Sequence, residues 1–193
     1  MPTTKGSLDR LYGLIDQLEE DSNNLLIPSI AREDGTLLAA TAFAACTSVN
    51  GILVDAGAGI GFSTAWIVLG AVGSGRRCRV VAIEYDGRLF KHLRSTADQL
   101  AAYVDIDAIN DNALTVVEGL NNIALLFVDI EKHQYAEILR LARDRLVSGG
   151  YAVFHNIFFP RPTEDFFQVM EELGWKRVAV PSEAGGSIIL RKP

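Results

Sequence analysis

The sequence predicts an α/β protein built on a doubly wound, mostly parallel sheet of seven strands. Five short apolar runs alternate with stretches whose apolar residues have helical spacing. The runs are apolar almost throughout, which is typical of parallel strands covered by helices on both faces. Two further strand-like runs near the C-terminus are joined only by "EAG", a link that favours an antiparallel hairpin over a helical crossover.

Two helices are predicted before the first strand. The stretch "SLDRLYGLIDQLEE" (7–20) places apolar residues on one face, with Ser7 as a plausible N-cap, and "DGTLLAATAFAACTSV" (34–49) forms the second helix. They make up a short N-terminal helical segment of about residues 1–48. Because the chain has no internal repeat, low-complexity tract or Gly/Ser linker, we expect a single domain over residues 1–193.

The remaining elements follow in a regular order. The predicted strands lie in "GILVDA" (51–56), "RVVAIEY" (79–85), "VDIDAI" (104–109), "ALLFVDI" (124–130), "YAVFHNI" (151–157), "WKRVAVPS" (175–182) and "GSIILRKP" (186–193). The predicted helices between them cover residues 63–72, 87–103, 112–118, 134–146 and 163–174.

Composition limits the partners of the chain. A net charge of −6 and a pI near 5.1 disfavour nucleic acid, since the only basic cluster, "GRRCR" (75–79), is typical of a solvated turn. Cys46 and Cys78 lack the spacing of a metal site, so reduced thiols and a cytoplasmic location are expected. No apolar run has the length of a membrane span, and the first residues lack the apolar core of a signal peptide.

A glycine-rich stretch, "LVDAGAGIG", joins the first strand to the next helix. In open α/β sheets, ligands bind at the carboxyl ends of the strands beside the first strand, where this stretch lies. Gly57, Gly59 and Gly61 would let the backbone turn tightly and approach a ligand. The dinucleotide pattern GxGxxG requires a third glycine where this chain has Phe62, so NAD fits poorly.

The pattern acidic-x-G-x-G-x-G resembles motif I of the S-adenosylmethionine (SAM)-dependent methyltransferases. The resemblance implies that Asp55 lies near the cationic amino-acid end of the cofactor, and Ser63, at the helix start, is a further candidate contact. Glu84, at the end of the second strand, is expected to accept hydrogen bonds from the ribose hydroxyls. Asp111 is expected either to bind the adenine amino group or to form an Asx turn.

The region of the fourth and fifth strands resembles the cation-dependent class I O-methyltransferases, the catechol and caffeoyl-coenzyme A group. The matching residues are Asp129, Lys132, Tyr135, the Gly149–Gly150 turn and Asn156. The resemblance extends from about Pro28 to the C-terminus and implies a Rossmann-like methyltransferase fold.

The resemblance also implies a divalent cation, usually Mg²⁺, held by Asp129, His155 and Asn156, with Asp129 also close to the cofactor. Lys132 would be the general base that activates a hydroxyl of a small catecholic or phenolic acceptor. The departure from the family is His155, which stands where the family usually has Asp and is a softer ligand than a carboxylate. His155 is therefore a metal ligand, a base in a metal-independent transferase, or a structural residue.

The function expected from the sequence is SAM-dependent methyl transfer to a hydroxyl of a small acceptor. Phe158 and Phe159 either wall an aromatic acceptor or pack against the neighbouring helix. Two alternatives stay open: a SAM-binding regulatory or assembly protein without catalysis, and an NAD-dependent oxidoreductase. The expected partner is a small molecule, not a membrane, and the expected assembly is a homodimer.

Overall fold

The computed structural model describes residues 5–193 and contains seven α-helices and seven strands within that range. The helices are α1 (Lys5–Asn24), α2 (Arg32–Ser48), α3 (Phe62–Gly73), α4 (Gly87–Leu100), α5 (Ala113–Gly119), α6 (Tyr135–Arg145) and α7 (Glu164–Leu173). The strands are β1 (Ile52–Ala56), β2 (Arg79–Ile83), β3 (Asp105–Ile109), β4 (Ile123–Val128), β5 (Leu146–His155), β6 (Lys176–Val180) and β7 (Ser187–Arg191). A short 3₁₀ turn, Lys132–Gln134, leads into α6.

The strands form one sheet in the order β3-β2-β1-β4-β5-β7-β6. Strands β1 to β5 are parallel, and β7 is antiparallel to both β5 and β6. This topology confirms the predicted doubly wound sheet and its C-terminal hairpin. The chain progresses outward in opposite directions from β1 and β4, so the switch point of the sheet lies between these two strands.

Helices cover both faces of the sheet, which explains the continuous apolar character of the central strands. Leu53, Leu125 and Phe127 point toward the core shared with α1, α2 and α3. Val54 and Leu126 point to the opposite core, which α5, α6 and α7 close. The alternation of side chains along each strand therefore supplies two apolar layers from one sheet.

Strand β5 begins before the apolar run that the sequence indicated. Its pairing with β4 shifts register between Ile123 and Leu125, and the Gly149–Gly150 pair, expected as a turn, lies inside the strand. A Cβ on Gly150 would lie 2.9 Å from the carbonyl oxygen of Val147, and Gly149 has a φ of +80°. Glycines at both positions therefore permit an irregularity that apolar periodicity does not reveal.

The two cysteines, expected to be separate reduced thiols, lie side by side. Cys46, near the end of α2, faces Cys78, just before β2, with their Cα atoms 6.8 Å apart. Their spacing in the sequence gives no sign of the pairing, because it arises from the packing of α2 over this end of the sheet. Within residues 5–193, no helix has both the length and the apolar character to cross a membrane.

Candidate active site

A cavity of about 700 Å³ opens at the carboxyl ends of the parallel strands. Its wall includes Gly59 from the loop after β1, Glu84 after β2, Asp111 after β3, Asp129 after β4 and Asn156 after β5. Its volume lies within the range of about 300–1,000 Å³ that is usual for cofactor and small-molecule sites. Because the strands are parallel, chemically active residues far apart in sequence meet at this one edge.

The three glycines of the loop after β1 meet different requirements. All three have positive φ, at 95° for Gly57, 58° for Gly59 and 102° for Gly61. A Cβ on Gly57 would lie 2.1 Å from the carbonyl oxygen of Asp129, and one on Gly61 would lie 2.7 Å from Thr96. Gly59 has no atom within 4 Å of its Cβ position, so its open side faces the cavity.

Asp55 is completely buried beneath the glycine loop and does not line the cavity. Its Oδ2 accepts hydrogen bonds from Ser63 Oγ at 2.8 Å and Thr64 Oγ1 at 2.5 Å, and its Oδ1 is buried without a partner. Burial raises the pKa of Asp55 to about 7, against the opposing effect of the two hydroxyls. Asp55 and Ser63 thus fasten the start of α3, and neither reaches the cavity.

Glu84 lies at the cavity wall, and both of its oxygens are in use. Oε2 accepts the N–H of Gly59 at 2.8 Å, and Oε1 accepts the N–H of Asp86 at 2.7 Å. Each oxygen keeps a second lone pair with which to accept a ligand hydroxyl. The carboxylate of Glu84 therefore holds Gly59 of the glycine loop in position and at the same time forms the cavity wall beside β2.

Asp111 borders the cavity and is exposed. Its Oδ1 accepts the adjacent N–H of Asn112 at 2.7 Å, whereas Asn112 itself caps α5 by accepting the N–H of Leu114. This bond to the next residue falls one residue short of an Asx turn, and the contact with the adenine amino group remains a prediction.

Lys132 points its ammonium group between β4 and β5, toward the residues that match the family. Nζ lies 3.2 Å from Asp129 Oδ1, 3.1 Å from Asn156 Oδ1 and 2.7 Å from Tyr135 Oη. The carbonyl oxygen of His155 is a fourth, more distant neighbour at 3.4 Å. The structure therefore brings Asp129, Lys132, Tyr135 and Asn156 into one cluster.

Asn156 has a left-handed backbone, with a φ of 52°. Its Nδ2 donates to the carbonyl oxygen of Ala184 in the loop between β6 and β7, which leaves Oδ1 directed at Lys132. Asn tolerates this conformation better than most side chains. The C-terminal hairpin thus orients the amide.

His155 is buried between two carboxylates. Nδ1 lies 3.1 Å from Asp129 Oδ2, and Nε2 lies 3.4 Å from Asp34 Oδ2, an ion-pair contact without hydrogen-bond geometry. Asp34 comes from the first turn of α2 and also accepts hydrogen bonds from Ser182 Oγ and Ser187 Oγ. One carboxylate therefore joins the N-terminal helices, the C-terminal hairpin and the site.

The charges of this cluster support one another. Burial would lower the pKa of His155, but the hydrogen bond to Asp129 and the negative charges of Asp129 and Asp34 outweigh it and raise the pKa to about 9. Burial opposes ionisation of Asp129, yet His155 and Lys132 hold the pKa of that carboxyl below its ordinary value. Burial lowers the pKa of Lys132, partly offset by Asp129.

The donor set does not fit a divalent cation in this arrangement. Both oxygens of Asp129 contact protein cations, both ring nitrogens of His155 face carboxylates, and Asn156 Oδ1 accepts from Lys132. Nor does any other group of three His, Cys, Asp or Glu side chains in residues 5–193 have the arrangement of a metal site. The cation that the resemblance implies is not supported.

Several residues at the site gave no signal in the sequence. Ile27, Pro28 and Ser29 from the segment between α1 and α2 form part of the cavity wall, as does Tyr85, which is 77% exposed. Asp34 lies in "EDGTLL", within the region that the resemblance covers, but the sequence predicts no role for it, and it lies far from His155 in sequence. Such residues are found only when the packing of the N-terminal helices is known.

Phe158 and Phe159 lie outside the cavity wall. The ring of Phe158 lies over Gly186, so close that a Cβ atom on Gly186 would be 2.4 Å from it. Phe159 is 79% exposed. Phe158 therefore packs against the C-terminal hairpin.

Solved structures share this fold. A methyltransferase from Geobacter sulfurreducens is 20% identical, with a TM-score of 0.71 over 100% of this chain and 91% of that one. The O-methyltransferase TomG from Streptomyces achromogenes, in complex with SAM, is 16% identical (TM-score 0.73, 93% and 89% covered). An O-methyltransferase from Bacillus cereus in complex with SAH is 14% identical (TM-score 0.72, 100% and 93% covered). Identities this low show a common fold.

The fold and the cavity at the switch point define a protein of the class I methyltransferase type. The family model described as "Methyltransferase domain" matches residues 54–157, more than half of the chain, and the chain belongs to this family. Among curated proteins, none has a significantly similar sequence. The expected methyltransferase fold and family are thus confirmed, and an oxidoreductase is disfavoured.

Proposed function

We propose that the protein is an SAM-dependent O-methyltransferase that acts on a small acceptor. The observation that carries the proposal is the cavity at the carboxyl ends of β1 to β5, in a chain of the methyltransferase family. Gly59 leaves its open side to this cavity, and Glu84 offers oxygen lone pairs beside it. A backbone that a ligand can approach, next to a hydroxyl-binding carboxylate, suits the adenosine part of the cofactor.

The cofactor residues have two kinds of role in this proposal. Glu84 accepts hydrogen bonds from the ribose hydroxyls, and Asp111 accepts one from the adenine amino group, since both border the cavity. Gly57 borders the cavity and also holds the loop in shape, whereas Gly61, Asp55 and Ser63 act only indirectly, by holding the loop in shape. Two of the relatives with this fold are described with SAM or SAH bound, which agrees with this choice of cofactor.

The acceptor side of the site is the Asp129–Lys132–His155–Asn156 cluster. In the proposed reaction, the acceptor oxygen forms a bond to the methyl carbon, the methyl–sulfur bond breaks, and SAH leaves as a neutral thioether. Lys132, expected from the resemblance to be the general base, acts here instead through its positive charge, which favours the ionised oxygen, and the hydroxyl proton passes to solvent through the open cavity. A phenolic or catecholic hydroxyl suits this site because it ionises more readily than an aliphatic alcohol.

The first experiment measures the heat of binding of SAM, SAH and NAD. We expect SAM and SAH to bind and NAD not to bind; the reverse result would show that the proposal is wrong. Transfer of a labelled methyl group to a panel of catechols and phenols then tests the acceptor class. SAM binding without transfer to any hydroxyl would instead favour the regulatory, non-catalytic protein.

The Glu84→Ala variant tests the cofactor assignment. Because each hydrogen bond to a charged group contributes about 1.5–3 kcal/mol, we expect the dissociation constant for SAM to rise roughly 10- to 100-fold. Glu172→Ala, on the exposed surface of α7, is the matched control and should bind SAM like the wild type. Equal SAM affinity of wild type and Glu84→Ala would show that Glu84 does not bind the cofactor.

The expected homodimer is a separate proposal. Light scattering in solution measures the molar mass and so tests it.

A further inference from the structure

We infer that the side chains of Lys132 and His155 together take the place of a divalent cation on the acceptor side of the site. The chain would therefore have no need of a bound metal ion there. The role of this pair in catalysis rests on the proposed function, but the absence of metal affinity does not.

The surroundings of Lys132 Nζ carry the first step. Its neighbours are a carboxylate oxygen of Asp129, the amide oxygen of Asn156, the hydroxyl of Tyr135 and a backbone carbonyl oxygen. The carboxylate, amide and backbone carbonyl oxygens among them are types that bind hard cations in proteins. With three N–H donors shared among four acceptors, the ammonium group uses all of them and fills the space among the oxygens.

The second step concerns Asp129, whose two oxygens bind one protein cation each. Oδ1 contacts Lys132 at 3.2 Å, and Oδ2 contacts His155 at 3.1 Å. A metal ion would have to displace one of these contacts to reach the carboxylate. Displacing Lys132 or His155 would leave a cation partly or fully buried without its partner, which is costly.

The third step concerns the surroundings of His155. Its Nδ1 lies 3.1 Å from Asp129 Oδ2, and its Nε2 lies 3.4 Å from Asp34 Oδ2. A metal ion could bind the ring only by displacing one of these carboxylates from its nitrogen. Asp34, Asp129, Lys132 and His155 are therefore the four residues that set the charge of the cluster.

The charge balance explains the consequence of having His at this position. With a carboxylate at residue 155, the same four residues would have a net charge of −2, which a divalent cation neutralises. With His at residue 155, the net charge of the four residues is no more negative than −1, and an added divalent cation would also face the ammonium group of Lys132. His155 therefore removes the surplus of negative charge that a divalent cation would neutralise.

Binding of Mn²⁺, followed by electron paramagnetic resonance, tests the inference without any need for methyl transfer. For the wild type we expect no saturable binding at the site up to about 1 mM Mn²⁺. His155→Asp restores a carboxylate, and Lys132→Ala frees the oxygens around Nζ. Each variant should bind Mn²⁺ at least about tenfold more tightly than the wild type. The exposed Lys91→Ala is the matched control and should behave like the wild type.

Two results would overturn the inference. One is wild-type binding of Mn²⁺ below about 100 μM that Asp129→Asn abolishes. The other is the failure of Lys132→Ala to gain any Mn²⁺ affinity. If His155→Asp does not fold alone, thermal unfolding with added Mn²⁺ decides: recovery of a cooperative transition supports the inference, and no recovery contradicts it. Failure of the methyltransferase proposal would appear separately, as absence of SAM binding.

Discussion

At the scale of single residues, His155 shows how burial and charge can have opposite effects on one group. Its ring is 1% exposed, and burial alone would favour the neutral form. The carboxylates of Asp34 and Asp129 face it from α2 and from the end of β4, and Lys132 is the nearest positive side chain of the same cluster. The two carboxylates prevail, so His155 keeps its proton where an ordinary histidine has lost it.

The pH dependence of stability follows from the raised pKa of His155. Protonated His155 stabilises the folded state fully below pH 6.5, its pKa in the unfolded chain, and this stabilisation is lost as pH rises through about 9, its pKa in the folded state. In the window between these two values the folded state binds a proton that the unfolded state has released. We expect the wild type to lose about 1–3 kcal/mol of unfolding free energy across this window. Urea unfolding at both ends of the window measures the loss.

The matched variant is His155→Gln, which cannot titrate and so lacks this dependence. The other two histidines, His92 and His133, are exposed and present in both proteins. The difference between wild type and variant therefore isolates His155. A variant with the same pH profile as the wild type would contradict the assigned charge.

At the scale of elements, the glycines of the loop between β1 and α3 differ in role: Gly57 is required mainly for folding and Gly59 mainly for ligand binding. Gly57 is pressed against the backbone of Asp129, whereas Gly59 is free of neighbours on its open side. Both have positive φ, so an alanine at either position costs about 1–2 kcal/mol of backbone strain. Only at Gly57 does a steric clash add to that strain.

We therefore expect Gly57→Ala to lower the melting temperature clearly more than Gly59→Ala does. Gly59→Ala should fold but bind SAM more weakly, because its methyl group enters the cavity. Thermal unfolding and calorimetry on the two variants separate the effects, and each variant is the control for the other. Equal melting temperatures together with equal SAM affinities would contradict the division of roles.

At the scale of the whole molecule, two apolar cores share one sheet, and the cavity lies at the edge of that sheet. If the chain is a single domain, as predicted, we expect it to unfold in solution in one cooperative transition. A ligand that binds only the folded state raises unfolding free energy by about 2.7 kcal/mol at a concentration of 100 times its dissociation constant. Calorimetric scans with SAH should therefore show one transition, displaced upward as a whole. Two transitions, of which SAH moves only one, would argue against a single domain.

The sequence predicts local and periodic features of this molecule well. Apolar runs located all seven strands, the "EAG" link indicated the hairpin, and the glycines marked the loop at the cavity. The irregularity in β5, the Cys46–Cys78 pairing and the role of Asp34 escaped it. Each of these depends on contacts between distant segments, which no local pattern records. Asp55 belongs with them, since its burial follows from the packing of α3 over the loop.

The contacts of Asp34 have a consequence for synthesis of the chain. Its two hydrogen-bond donors, Ser182 and Ser187, lie 148 and 153 residues later in the sequence, so its hydrogen bonds form only after these residues have been synthesised. On the ribosome, α2 and the first strands emerge long before β7, and contacts of such long range form late. The Asp129–Lys132–His155–Asn156 cluster, which we propose as the acceptor side of the site, is therefore completed only when β7 has formed, and we expect a chain that ends before β7 to lack this arrangement.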